Sequence, residues 1–336
     1  MITPFGLHHI LLIRNLSSAS SVLDFRSALL EPETPLRAAL RGYFLRSRSG
    51  VFTFVLRAPD LGKSLLGFAQ ARALRPEAAC NILRMAPALD SSKDAATIWY
   101  RLLLHLCIAA GERRMQRLLA RVSEGGAAEE VFRQAGFSVY CHERVYRRDS
   151  APEAGRFSAH ICPLCADDLT SLQRLCQETT PRPVLLSEGV RSIGDQSRPP
   201  QMPDSDTEWY EGFRQLDHPG SVSAAVHVIV GANGSWLRLL IPPDPDAFVA
   251  EVLDHALARL SECPPRPVYC TVRDYQGGVQ APLEERNFTL TETHSLMVKH
   301  TTVRVREAPR KALHSFEKRV EVAPTVSQSE AKAKVR

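Results

Sequence analysis

The sequence predicts a mixed α/β (α+β) protein made of two tandem copies of one unit, and three observations predict it. The same order of strands and helices occurs twice along 336 residues, a length comfortable for two domains of ordinary size. The stretches Ser123–Phe137 and Asp274–Phe288 have equal length and align without a gap, so that Gly126 meets Gly277 and Phe137 meets Phe288. Gly136 meets Asn287 in the same alignment, and both residues tolerate the left-handed conformation of a helix C-cap.

In the first copy, Leu66–Leu74 and Ala79–Met85 read as strands joined by a turn. Ser91-Ser92-Lys93-Asp94 offers N-cap chemistry to a helix reaching about Ala110, with Ile98, Trp99, Leu102, Leu103 and Leu106 in one stripe. Gly111 reads as its stop signal. Met115–Val122 is apolar enough for a strand, Ala127–Ala135 reads as a short helix, and Ser138–Arg147 closes the copy. The second copy repeats this. Ala224–Val230 and Trp236–Ile241 flank Gly231-Ala-Asn-Gly234, a strong hairpin signal. A helix carrying Phe248, Val249, Val252, Leu253, Ala256, Leu257 and Leu260 follows. Pro267–Val272 is then a strand, Pro282–Arg286 a short helix and Leu290–Val305 the closing strand.

The segments before each hairpin are less alike. His9–Arg14 and Ser158–Pro163 read as opening strands, followed by helical stretches Ala19–Leu40, broken near Pro32–Pro35, and Cys165–Glu178. Ser197–Asp206 reads as a loop, and Asp149–Gly155 as the linker between copies. The expected domains are residues 1–150 and 155–306, with a basic tail at 307–336. That tail carries seven Lys or Arg against four Asp or Glu, has no apolar period and reads as disordered.

Leu83-Arg-Met85-Ala-Pro87 is similar to the L-x-V-x-P that ends the central strand of the GNAT N-acetyltransferase superfamily, and Phe132-Arg-Gln-Ala-Gly136-Phe137 resembles its Y-x-x-x-G-F. Leu239-Leu-Ile241-Pro-Pro243 and Leu283-Glu-Glu-Arg-Asn287-Phe288 occupy the same places in the second copy. The resemblance implies two mostly antiparallel twisted sheets flanked by helices. It also implies acetyl-CoA or another acyl-CoA as co-substrate, and a small amine or a protein as acceptor.

The same resemblance exposes what is missing. The family holds pyrophosphate with R/Q-x-x-G-x-G/A, where bare backbone lets N–H groups close around phosphate at a helix N-terminus. No glycine lies between Pro87 and Ala110 or between Pro243 and Leu260. Asp90 stands where a basic or amide residue is expected, Lys93 replaces the first glycine, and only Ala95 fits. The candidate cofactor residues are therefore Met85, Ser91, Ser92, Lys93 and Ala95, with helix capping as the competing role for the middle three. The family's general-acid Tyr is matched by Phe132 and Leu283, which have no transferable proton, and its Asn by Gly125 and Gln276.

His227, mid-strand in the second copy and facing opposite to Val226 and Val228, is the candidate catalytic base; a half-buried structural histidine is the plainer alternative. Gln70 and Arg72 hold comparable places in the first copy and are not bases. Two functions follow: acyl-CoA-dependent transfer to an amine, or a non-catalytic tandem protein that binds a ligand or partner. Cys162-Pro-Leu-Cys165 is half a zinc or redox motif with no second pair, so no metal is expected. An apolar fraction of 44% and a charged fraction of 24% are those of a soluble protein. No run approaches the about 18 apolar residues of a membrane span, and Met1–Ile13 lacks a basic region followed by a long apolar run, so a secretory signal is not expected. The cytoplasm is the expected compartment. A net charge of +5 without interleaved aromatics gives no nucleic-acid platform.

Overall fold

The computed structural model of the chain describes residues 1–30, 32–45, 50–60, 63–74, 78–149, 157–189, 207–214, 221–242 and 249–301. The first copy contains β1 (Ile2–Pro4), α1 (Ile10–Leu16), β2 (Ser21–Val22), α2 (Phe25–Leu30), α3 (Pro35–Leu45), β3 (Val51–Asp60), β4 (Lys63–Leu74) and β5 (Ala79–Ala86). It continues through α4 (Ala95–Glu112), β6 (Arg117–Ser123), α5 (Ala127–Gln134) and β7 (Ser138–Arg148). The second contains β8 (Ile161–Pro163), α6 (Leu169–Thr179), α7 (Arg182–Glu188), β9 (Glu208–Arg214), β10 (Val222–Val230) and β11 (Ser235–Leu240). It ends with α8 (Val249–Ser261), β12 (Val268–Arg273), α9 (Gln280–Glu284) and β13 (Thr289–His300).

All these strands join one sheet, in the order β1-β3-β4-β5-β6-β13-β7-β12-β11-β10-β9-β8, with β2 attached to β5. The pairs β5–β6 and β11–β12 are parallel and the others antiparallel. The centre of the sheet is an exchange. β13, the last strand of the second copy, lies between β6 and β7, while β7 continues to β12. Each copy's last strand therefore completes the other copy's sheet.

Side chains alternate across each strand, so each copy buries one face under its long helix. Ile98, Trp99, Leu102, Leu103 and Leu106 of α4 pack with Cys80, Ile82, Leu118, Ala120 and Val122. Val252, Leu253, Ala256 and Leu257 of α8 pack with Val226, Val228, Leu237, Leu239 and Cys270. Met297 of β13 belongs to the first of these cores although it comes from the second copy. On the opposite face, Leu29 of α2 packs with Ile229, Trp236 and Tyr269, and the Leu30 carbonyl accepts the Ala232 N–H at 2.9 Å. First-copy α2 thus lies on second-copy strands.

The expected left-handed caps are present: Gly136 has φ +84° and Asn287 φ +60°. Three expectations are corrected. Within the helical stretch expected over Ala19–Leu40, Ser21–Val22 is strand β2. His9–Arg14 is helical, not a strand; His9, Leu12 and Ile13 are buried at the i, i+3, i+4 spacing of a helix, and the Gly6 N–H donates to His9 Nδ1 at 3.1 Å where the helical turn begins. The opening strand is Ile2–Pro4 instead. Gly111 lies inside α4, and the left-handed residue after the helix is Arg114, φ +60°. β3 and β9 carried no clear signal, because β3 is a long run containing Thr53 and Arg57 and β9 mixes aromatic, acidic and glycine residues without a clean alternation. The linker beyond Asp149, the loop 197–206, Phe248 and the tail 307–336 lie outside the described residues. No helix among the described residues is long and apolar enough to cross a membrane.

Candidate functional site

Parallel strands β5 and β6 pair only where Ala79–Asn81 meet Arg117–Leu119, and beyond that they diverge. β2 enters the gap. Ser21 and Val22 pair antiparallel with Met85 and Arg84, and the N–H groups of Leu23 and Asp24 donate to the Leu83 carbonyl at 2.9 and 3.3 Å. The corresponding gap beyond β11–β12 is bridged by Gln276, whose Nε2 donates to the Leu239 carbonyl at 2.9 Å while its Oε1 accepts the Arg273 N–H at 2.9 Å. Gln276 stands where the family resemblance leads one to expect an asparagine, and its amide serves this internal bridge.

The residues singled out from the sequence are placed as follows. Met85 is fully buried and paired to Ser21 and Ala69. Ser91 is exposed, and its hydroxyl donates to the Ala88 carbonyl at 2.6 Å. Ser92 Oγ accepts the Asp94 N–H at 3.1 Å, which closes the turn into α4. Lys93 is exposed, as is Asp90, and Ala95 is buried at the start of α4. Phe132 and Leu283 are fully buried; the Phe132 ring meets Trp99 edge-on at 6.3 Å.

His227 faces away from the α8 core. Its Nε2 lies 2.8 Å from Glu208 Oε1, and its ring stacks on Tyr210 at 4.1 Å. Burial lowers its pKa below the ordinary histidine value, and the bond to Glu208 offsets this only in part. The structure does not bring His227 together with Met85, Ser91, Ser92, Lys93 or Ala95: His227 lies on β10 and the others on or beyond β5, with five strands between them in the sheet.

What remains at the β5–β6 gap is a cavity of about 140 Å³ lined by β2, the start of α2, β6, Trp99 and His294. His294 comes from β13, is 6% exposed, and places Nε2 2.9 Å from Glu292 Oε2. That bond, assisted by the charge of Arg121 and opposed by burial, holds the Glu292 carboxyl below its ordinary pKa. The opposite ring nitrogen, Nδ1, is buried without a hydrogen-bond partner among the described residues, and so is Nε of Arg121.

Arg121 opens a buried ionic chain that crosses the exchanged strands. Its guanidinium lies 2.8 Å from Glu143 Oε1, Arg273 Nε donates to Glu143 Oε2 at 3.0 Å, and Arg273 also lies 2.8 Å from Glu188. Burial pushes the Glu143 carboxyl up, but Arg121 and Arg273 together outweigh it and hold it below the usual range. Sequence reasoning missed His294 and this chain. The members of the chain lie on separate strands and a helix, with Arg273 and Glu143 130 residues apart, and meet only through the strand exchange; the one local signal was His294 following Glu292 at the spacing of one strand face. Among the described residues no group of three or more His, Cys, Asp or Glu is placed to hold a metal ion.

Neither family models nor the sequences of curated proteins match the chain. Among solved structures, a GCN5-related N-acetyltransferase from Sphaerobacter thermophilus matches with a TM-score of 0.55 at 12% identity, over 89% of this chain and 95% of that one. A tandem GNAT protein from the clavulanic acid biosynthesis pathway matches over 89% and 98% with a TM-score of 0.49 at 11% identity. The first match runs over nearly the whole of both chains and so includes both copies. At this identity the likeness concerns architecture alone, and on that footing the chain has the GNAT fold in tandem form.

Proposed function

We propose that the protein is a non-catalytic tandem GNAT-fold binding protein, in place of an acyl-CoA-dependent transferase acting on an amine. One observation carries the reading: the β5 edge at the strand gap, where an extended ligand would add, is already paired with the chain's own Ser21 and Val22. A paired edge has no free N–H and C=O groups to offer a ligand.

The residues around the gap do not fit an acyl-CoA. At the entry to α4 the Ser91 and Ser92 side chains are engaged within their own turn, and Asp90 would set a carboxylate beside pyrophosphate. Where the family resemblance calls for a tyrosine, Phe132 and Leu283 supply only buried hydrocarbon. Fold by itself does not supply activity.

Calorimetric titration of the full chain with acetyl-CoA tests this, and no heat of binding is expected. Saturable binding, weakened by Lys93→Ala, would return the acyl-transfer reading with the first copy as its site.

A further inference from the structure

Helices α4 and α8 are the same helix in the two copies, and their buried faces match in register. Ile98 corresponds to Val252, Trp99 to Leu253, Leu102 to Ala256, Leu103 to Leu257 and Leu106 to Leu260. Their outer faces do not match. Where the second copy carries Asp254, Ala258 and Glu262, α4 carries Tyr100, Leu104 and Ile108, one turn apart on a single line.

The polar set is fully used within its own copy. Asp254 pairs with Arg286 at 2.6 Å and Glu262 with Arg259 at 2.7 Å. The Phe157 ring meets His255 edge-on at 5.6 Å and the Ser158 hydroxyl donates to Glu251, so chain lies over that side of α8. On α4 the three apolar side chains stay 38%, 37% and 62% exposed. The twin helix folds without hydrocarbon at these places, so the fold does not require it. A contiguous exposed apolar strip of this kind marks a contact surface.

We propose that this face of α4 docks against the same face of a second copy of the chain, with the two helices antiparallel about a two-fold axis at Leu104.

The residues of α4 are self-complementary in that register. Positions equidistant from Leu104 meet, so Tyr100 faces the partner's Ile108 and Thr97 faces the partner's Gly111. Each contact occurs twice, as an isologous interface requires. An aromatic ring lies against a branched aliphatic side chain, and the small Thr97 and Gly111 let the helices approach on either side of this centre. Charge selects the direction. Lys93 and Asp94 stand exposed at one end of α4, and Glu112 and Arg114 stand exposed at the other. Antiparallel docking brings the first pair beside the partner's second pair, where each charge finds its opposite. Parallel docking would set Asp94 beside its own copy and Arg114 beside its own copy. The result is an apolar centre with charged ends, the anatomy of a protein interface. One helix pair is smaller than a standard interface of about 1,200–2,000 Å², so a dissociation constant in the micromolar range is expected.

Sedimentation velocity of the full chain tests this, at loadings from about 1 to 200 µM that span a micromolar constant. The expected result is a concentration-dependent shift from monomer to dimer. Tyr100→Asp, Leu104→Ala and Ile108→Glu combined carry over residues that the twin helix accommodates, and should abolish the dimer while the cooperative thermal transition is kept. Should that variant fail to fold, Leu104→Glu sets two carboxylates together at the axis and is read in the same way. Leu104→Cys should give a disulfide-linked dimer on mild oxidation, beyond what the parent chain gives, and Tyr100→Cys should not, because only position 104 meets itself. The proposal is overturned by a monomer at every loading, by a dimer that survives the outer-face variants, or by Leu104→Cys cross-linking no better than Tyr100→Cys. None of these readouts involves acyl-CoA, so the binding-protein reading stands or falls separately.

Discussion

Glu143 and His294 are direct partners across the β7–β13 pair, and each is the sixth residue of its strand. The two copies therefore meet at equivalent positions, as expected when a repeated unit exchanges its last strand with its twin. The chemistry of the two positions has diverged. Glu143 holds Arg121 and Arg273 in a buried ionic chain, and His294 turns to Glu292 and the cavity.

The exchange sets the folding unit. Residues 1–150 or 155–306 expressed alone would each lack the strand that completes its sheet, β13 in one case and β7 in the other. Neither is expected to give a cooperative thermal transition, whereas the full chain should unfold in one. Calorimetry of the three proteins checks this, and a stable, cooperative 1–150 fragment would contradict it.

Glu143→Gln leaves Arg121 without its buried counter-charge. Removing one partner of a buried pair typically costs ~3–5 kcal/mol, and a loss in that range is expected from urea midpoints at neutral pH. The pH sign follows from the lowered carboxyl. Its contribution is present above the unfolded-state pKa and is lost as pH falls through the lower folded-state value. The variant should therefore lose less stability on acidification than the parent does.

His227 gives a second, separate pH signature. Its folded pKa lies below the ordinary value of 6.5, so protons bind the unfolded chain more readily. Stability should fall as pH drops from above 6.5 toward the lowered folded value, and His227→Gln should flatten that window. A parent whose stability is constant across the window would show that His227 is not held neutral.

The matched left-handed caps predict opposite responses. Gly136→Ala forces a Cβ into φ +84° and should cost ~1–2 kcal/mol. Asn287→Gly relieves φ +60° and should be neutral or slightly stabilising. Thermal midpoints of the two variants decide it.

Much of this was legible in the sequence because it is local. The stripe on α4, the turn Gly231–Gly234, and the caps at Gly136 and Asn287 are each written within a few residues, where spacing and backbone sterics act directly. The same locality misled at His9–Arg14, where a short apolar run suits strand or helix and packing chose the helix. It misled again at Gly111, where the packed face of α4 carried the helix past a permissive residue.

The sequence by itself determined that the chain is a repeated α/β unit, that no glycine lies between Pro87 and Ala110, and where its caps fall. The tertiary structure decided which strands are neighbours, and therefore which residues share a site. β13 inserts between β6 and β7, which brings His294 to the same cavity as Arg121; β7 pairs with β12, which sets Arg273 beside Glu143; and β2 fills the gap beside β5. The physical reason is that strand pairing satisfies backbone groups whichever copy supplies them. The choice of partner is made by the packing of the whole sheet, which no local stretch of residues encodes.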